Sequence, residues 1–135
     1  MQFIDANIFI RFIARDDPQK TQACAALFQK ANNNEITLTT TEAVIAEVVY
    51  VLSSKRLYNL PRDQIRALLY PLLIMRGLNL PSRKTYLRAL DIFATSNLDY
   101  EDSIIVAQME RRKIDDLLSY DQGFDRHKSI KRTEP

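Results

Sequence analysis

The chain has 135 residues, of which 46% are hydrophobic and 27% charged, with a formal net charge of +2. That length suits one domain with a real core, expected over residues 1–135, and no apolar run reaches the roughly 18–20 residues that span a bilayer. A lone cysteine, Cys24, excludes an internal disulfide framework, and so small a net charge does not by itself announce a nucleic-acid binder.

Taken in chain order, residues 2–5 read as a short buried strand that ends abruptly in Asp5, with Asn7 just beyond it. A helix is expected from Ile8 to Ala14. Asp17-Pro18 then places a capping residue before a proline at the first helical position, opening a helix that stops near Asn32-Asn33-Asn34. Cys24 lies in it among alanines, which predicts a buried, inert thiol. Ile36 to Thr39 is the second strand. The next helix starts near Thr40, with Thr39 or Thr40 as its cap and Glu42 where a capping-box acid belongs. It continues to about Leu52 or Ser54.

Pro61 opens a helix from Arg62 to about Tyr70, which Pro71 kinks or ends. Leu78 to Leu80 is a short strand after Gly77. A helix then runs from Pro81-Ser82 to about Thr95. Asp99 caps the next, Tyr100 to Arg112, and Asp116 to Tyr120 forms a strand ending at Asp121. Ser129 to Lys131 is a candidate edge strand. Strands alternating with helices predict an α/β fold: a three-layer α/β/α sandwich with a short, mainly parallel sheet of four or five strands.

Several chemistries drop out. With only Gly77 and Gly123 there is no Gly-rich phosphate loop, which argues against an NTPase or a nicotinamide enzyme. No Cys/His cluster offers a structural zinc site. The acids remain. From Ala43 to Leu52 every residue is apolar or aromatic except Glu47. Such a helix reads as buried nearly all round, where an isolated carboxylate asks for a cation. The alternative is that Glu47 reaches solvent or pairs with an Arg. Glu42 points about 140° away around the helix, and capping is its expected role.

Asp102 is the third residue of a helix capped by Asp99, a position where acids serve the helix dipole. That helix leads into the strand ending at Asp121, so its start is expected at the same edge as Asp5 and Asp121. Either of those could simply cap the following helix. Together with Glu47 and Asp102 they point to a common site. Four acids without His or Cys call for a hard cation, Mg²⁺ or Mn²⁺, which activates water in phosphodiester cleavage. Asn7 and Ser119 would support it by orienting a carboxylate or a water.

These stretches resemble the PIN domain family and, within it, the VapC toxins of bacterial and archaeal toxin–antitoxin pairs. The matching segments are Phe3 to Phe9, Ala46 to Leu52, Leu98 to Ile105 and Leu118 to Asp125, in order across nearly the full chain. The resemblance implies a Mg²⁺- or Mn²⁺-dependent endoribonuclease with Asp5, Glu47, Asp102 and Asp121 as the acidic quartet. Asn7 and Ser119 match the family's small polar positions. It also implies a homodimer, and a small antitoxin laid across the acidic groove. Many relatives carry Gly before the fourth strand, where this chain has Lys113-Ile114-Asp115-Asp116, and Ser119 stands where Thr is frequent.

Arg11, Arg15, Lys55, Arg56 and the basic run from Arg126 to Arg132 are candidate RNA contacts, since an acidic metal site repels phosphate unless cations flank it. The lone cysteine and the absence of a secretory pattern at Met1 lead to an expected cytoplasmic location. The alternatives are an RNA-processing PIN nuclease without an antitoxin, and a non-cleaving RNA-binding PIN module.

Overall fold

The computed structural model describes residues 1–135 as two compact units, Met1–Arg83 and Lys84–Pro135. The first holds β1 (Gln2–Phe3), α1 (Ala6–Ala14), α2 (Pro18–Asn32), β2 (Leu38–Thr39), α3 (Glu42–Ser53), α4 (Arg62–Leu73) and β3 (Leu78–Asn79). Its sheet is parallel in the order β1-β2-β3, with Gln2 opposite Leu38 and Leu38 opposite Leu78. Each step between neighbouring strands passes through a pair of helices, as a parallel sheet requires. The second unit holds α5 (Arg83–Thr95) from Lys84 onward, α6 (Tyr100–Arg112), β4 (Asp116–Leu118), a 3₁₀ turn (Gln122–Arg126) and β5 (Lys131–Thr133). Its two strands are also parallel, with Leu117 opposite Arg132. No helix is long and apolar enough to cross a membrane.

The α/β class and the parallel strands hold. The strands are shorter than the apolar runs suggested, and they form a three-stranded and a two-stranded sheet instead of one of four or five. The last strand lies at Lys131–Thr133, two residues beyond the expected position. The helix boundaries were more legible. Asp17 caps α2, accepting from Lys20 N at 3.1 Å, with Pro18 at its first position. Asp99 caps α6, accepting from Asp102 N at 2.8 Å.

Two expectations about α3 need correction. Its cap is Thr41, which accepts from Val44 N at 3.3 Å, rather than Thr39 or Thr40. The other two hydroxyls are committed to the sheet: Thr39 Oγ1 donates to the Asn79 carbonyl at 2.8 Å and Thr40 Oγ1 to the Ile4 carbonyl at 3.0 Å. Glu42 therefore stands at the first helical position, too early for a capping box.

Nor is α3 buried all round. Ile45, Val48, Val49 and Leu52 are buried at the i, i+3, i+4, i+7 spacing of a single stripe. Tyr50 is 68% exposed, and Ala43 and Glu47 are exposed as well. The desolvation argument for a cation at Glu47 fails with that finding. β1 is likewise not a buried strand, because Phe3 is 69% exposed. Pro71 stays inside α4, which continues to Leu73. The carbonyl it leaves without a helical partner belongs to Ala67, which is exposed and open to water.

Candidate functional site

In the first unit, Asp5 is the N-cap of α1: its Oδ1 accepts from Asn7 N at 3.1 Å. Asp5 and Asn7 are both exposed. Asn7 borders a cavity of about 320 Å³ that is also lined by Arg11, Lys20 and Cys24. Arg11 is partly committed within the fold, pairing with Asp16 at 3.1 Å. The Tyr58 hydroxyl donates to the other Asp16 oxygen at 2.7 Å. That hydrogen bond, with Arg11 beside it, holds the Asp16 carboxyl below its usual range. Cys24 is a buried free thiol whose pKa is pushed up by burial, as its position among alanines implied. Glu47 projects from the exposed side of α3, a helix that packs against α1. Arg15 ends α1 in a left-handed conformation, and Lys55 and Arg56 lie exposed in the turn after α3.

The second unit brings Asp102 and Asp121 within electrostatic reach of each other. Asp102 is half-buried in the first turn of α6, and its pKa is raised to about 6. Burial is the largest cause, followed by the carboxylates of Asp99, Asp121 and Glu101. All of them act in the same direction, so the region is one of uncompensated negative potential. Asp121 follows β4 and opens the 3₁₀ turn, with its Oδ1 accepting from Gly123 N at 2.8 Å. Its own N–H donates to Ser119 Oγ at 3.0 Å. A Cβ at position 123 would come to 3.0 Å of Asp121 Oδ1, a tight contact that would press on this side chain.

The reading of the basic tail missed one residue that matters to this turn. Arg132 was grouped with the candidate RNA contacts, but its side chain is only 12% exposed and is spent inside the fold. Nε and Nη2 hold both oxygens of Asp125 at 2.7 and 3.2 Å, and Nη1 donates to the Ser119 carbonyl at 2.8 Å and to Glu134 at 2.9 Å. It thus ties β5 to both sides of the Ser119–Asp125 segment that carries Asp121. Its position at the end of a basic run gave no signal of this. Lys131 pairs with Asp115 at 3.0 Å.

In neither unit taken by itself do three or more His, Cys, Asp or Glu side chains form a group that could hold a metal ion. The donor chemistry nevertheless suits one. Asp102 and Asp121 offer only oxygen atoms, and their mutual repulsion is the kind that a hard divalent cation relieves.

Among protein families, the model of the PIN domain matches residues 3–129. No curated protein matches the chain. The helix-rich α/β make-up with short parallel sheets is consistent with the three-layer α/β/α fold expected from the sequence.

Proposed function

The chain belongs to the PIN domain family, a nuclease fold, and from that premise we propose that it is a Mg²⁺- or Mn²⁺-dependent endoribonuclease, the toxin of a VapBC-type toxin–antitoxin pair. The observation that carries the reading is the negative potential at the start of α6, where Asp102 is held at a pKa of about 6 by burial and by Asp99, Asp121 and Glu101. A fold keeps like charges together at a cost in stability chiefly where a ligand uses them. The proposed metal ligands are Asp5, Glu47, Asp102 and Asp121.

When bound, the ion supplies Lewis acidity that activates water and offsets charge on the scissile phosphate. The chain's own residues do the rest. Asp5 and Asp121 each accept a backbone N–H on one oxygen, which fixes the carboxylate rotamer. Asp102 lies within reach of the Asp121 charge, so the two carboxylates repel until a cation neutralises them. Ser119 holds the Asp121 backbone through its hydroxyl, and Asn7 stands beside Asp5 as its supporting residue. Arg11, Arg15, Lys55 and Arg56 are the proposed flanking contacts to RNA. A homodimer, an inhibitory antitoxin and a cytoplasmic location complete the proposal.

One observation favours a second reading. Glu47 is exposed, so its retention no longer argues against a non-cleaving RNA-binding module. Cleavage of a mixed structured RNA with Mg²⁺, with Mn²⁺ and with EDTA, beside Asp5→Asn, separates the two. Metal-dependent cutting that disappears in the variant supports the nuclease, whereas equal cutting by both proteins would remove the metal site. RNA binding without cutting under any condition would leave the binding module.

A further inference from the structure

Two cavities adjoin along the C-terminal half of α6, at the opposite end of that helix from Asp102. The first, of about 320 Å³, lies between α5 and α6 and is lined by Lys84, Arg88, Glu110 and Arg111. The second, of about 450 Å³, continues past Glu110 to Lys113, Asp115, Lys128 and Lys131. The acids in this groove are already neutralised. Arg88 holds both oxygens of Glu110 at 2.8 and 3.0 Å, and Lys131 holds Asp115 at 3.0 Å. Lys84, Arg111, Lys113 and Lys128 remain, all exposed and without an acidic partner. The groove is therefore a track of four free cations on a chain whose overall charge is only +2.

We infer that this groove is a second nucleic-acid site, which grips the phosphate backbone of single-stranded RNA away from the acidic residues. The inference deepens the ribonuclease reading and rests on it for the identity of the ligand. Its chemistry argues for a phosphodiester strand over an acidic peptide. No aromatic side chain lines either cavity, so there is no anchor of the kind that dominates peptide interfaces and no platform for stacking bases. What remains is sequence-tolerant contact with phosphates. From Asp102 to Lys113 along α6 is on the order of 16 Å, about five nucleotides of a stacked strand at ~3.4 Å each.

The test is fluorescence anisotropy of an end-labelled, unstructured 16-nucleotide RNA in EDTA, so that neither metal nor cleavage enters. Arg111→Ala/Lys113→Ala/Lys128→Ala is compared with a control, Lys30→Ala/Arg76→Ala, which removes exposed cations from the other unit. The triple variant should bind about tenfold or more weakly at low salt, with the slope of log affinity against log salt reduced by about 2. The control should lie within about twofold of wild type. Equal binding by the triple variant, or an equal loss in the control, overturns the inference. So does a polyglutamate peptide of matched charge that competes as well as RNA. Unchanged melting temperatures exclude misfolding as the cause. Failure of the nuclease reading would appear separately, as absent metal-dependent cutting with this binding intact.

Discussion

Replacing Asp102 with Asn should stabilise the protein in EDTA at neutral pH. The folded-state pKa of about 6, against 3.8 for a free Asp, sets an upper bound of about 3 kcal/mol on the cost of ionising this group in the native state. Asp102 is only half-buried, so solvent screening reduces that to about 1–2 kcal/mol. The variant also loses an acid in the first turn of a helix, worth about 0.3–1 kcal/mol in the other direction. The net gain is about 1 kcal/mol, or roughly 3–4 °C in melting temperature for 135 residues. The sign can be checked against pH. A carboxyl whose pKa is raised by folding stabilises the native state when protonated, so wild type regains the difference as pH falls from about 6 towards 3.8. By pH 4.5 the advantage of the variant should be clearly smaller. Thermal unfolding followed by circular dichroism at pH 7.5 and 4.5 reads both values. A variant no more stable than wild type at pH 7.5, or equally advantaged at both, would refute the electrostatic account.

The other predictions concern the ion, the sheet and the Asp121 turn. If the four acids hold a cation, Mg²⁺ at ten times its dissociation constant should stabilise wild type by about 1.4 kcal/mol. The effect should weaken below about pH 6, where protons compete at Asp102, and a melting temperature insensitive to Mg²⁺ in the wild type at pH 7.5 counts against the site. Gly77→Ala should destabilise by about 3 kcal/mol or more, because a Cβ there would meet the Ala31 carbonyl oxygen at 2.1 Å; urea unfolding measures it. Arg132→Ala should loosen the Asp121 turn by leaving the Ser119 carbonyl and Asp125 without their donor. Hydrogen exchange should then rise first at the amides of Asp121 and Gly123, and uniform exchange across the chain would contradict the clamp.

How much was legible in the sequence followed the range of the physics involved. Caps act within three residues, so Asp17-Pro18 and Asp99 announced α2 and α6, and α6 spans Tyr100–Arg112 as read. Where two interactions compete for one side chain, local reading fails. Thr39, Thr40 and Thr41 are equivalent caps on paper, and only the strand that Thr39 and Thr40 bond to decides that Thr41 is left for α3. The burial of Glu47 failed for a related reason. Counting apolar residues does not say how many faces of a helix find a partner, and α3 finds enough to bury one stripe. Arg132 was beyond reach, since its partners Asp125 and Ser119 are set by the parallel pairing of β4 with β5.

The acids themselves show why capping and ligation need not compete. Asp5 and Asp121 do cap the elements that follow them, as the simpler reading of each had it. Each commits only Oδ1 to a backbone amide, and a carboxylate has a second oxygen and further lone pairs to offer. The amide bond holds the side chain in one rotamer, which lowers the ordering entropy that a ligand would otherwise have to overcome. Asp102 differs: its backbone is fixed by Asp99, but its carboxyl is pressed among other carboxylates. Asp102 and Asp121, one destabilised and one preorganised, are a pair in which a cation would relieve the first at little ordering cost to the second. The test of that logic is selective: Asp102→Asn should raise stability in EDTA and abolish the gain from Mg²⁺, whereas Asp5→Asn, which keeps a capping side chain, should leave stability in EDTA nearly unchanged.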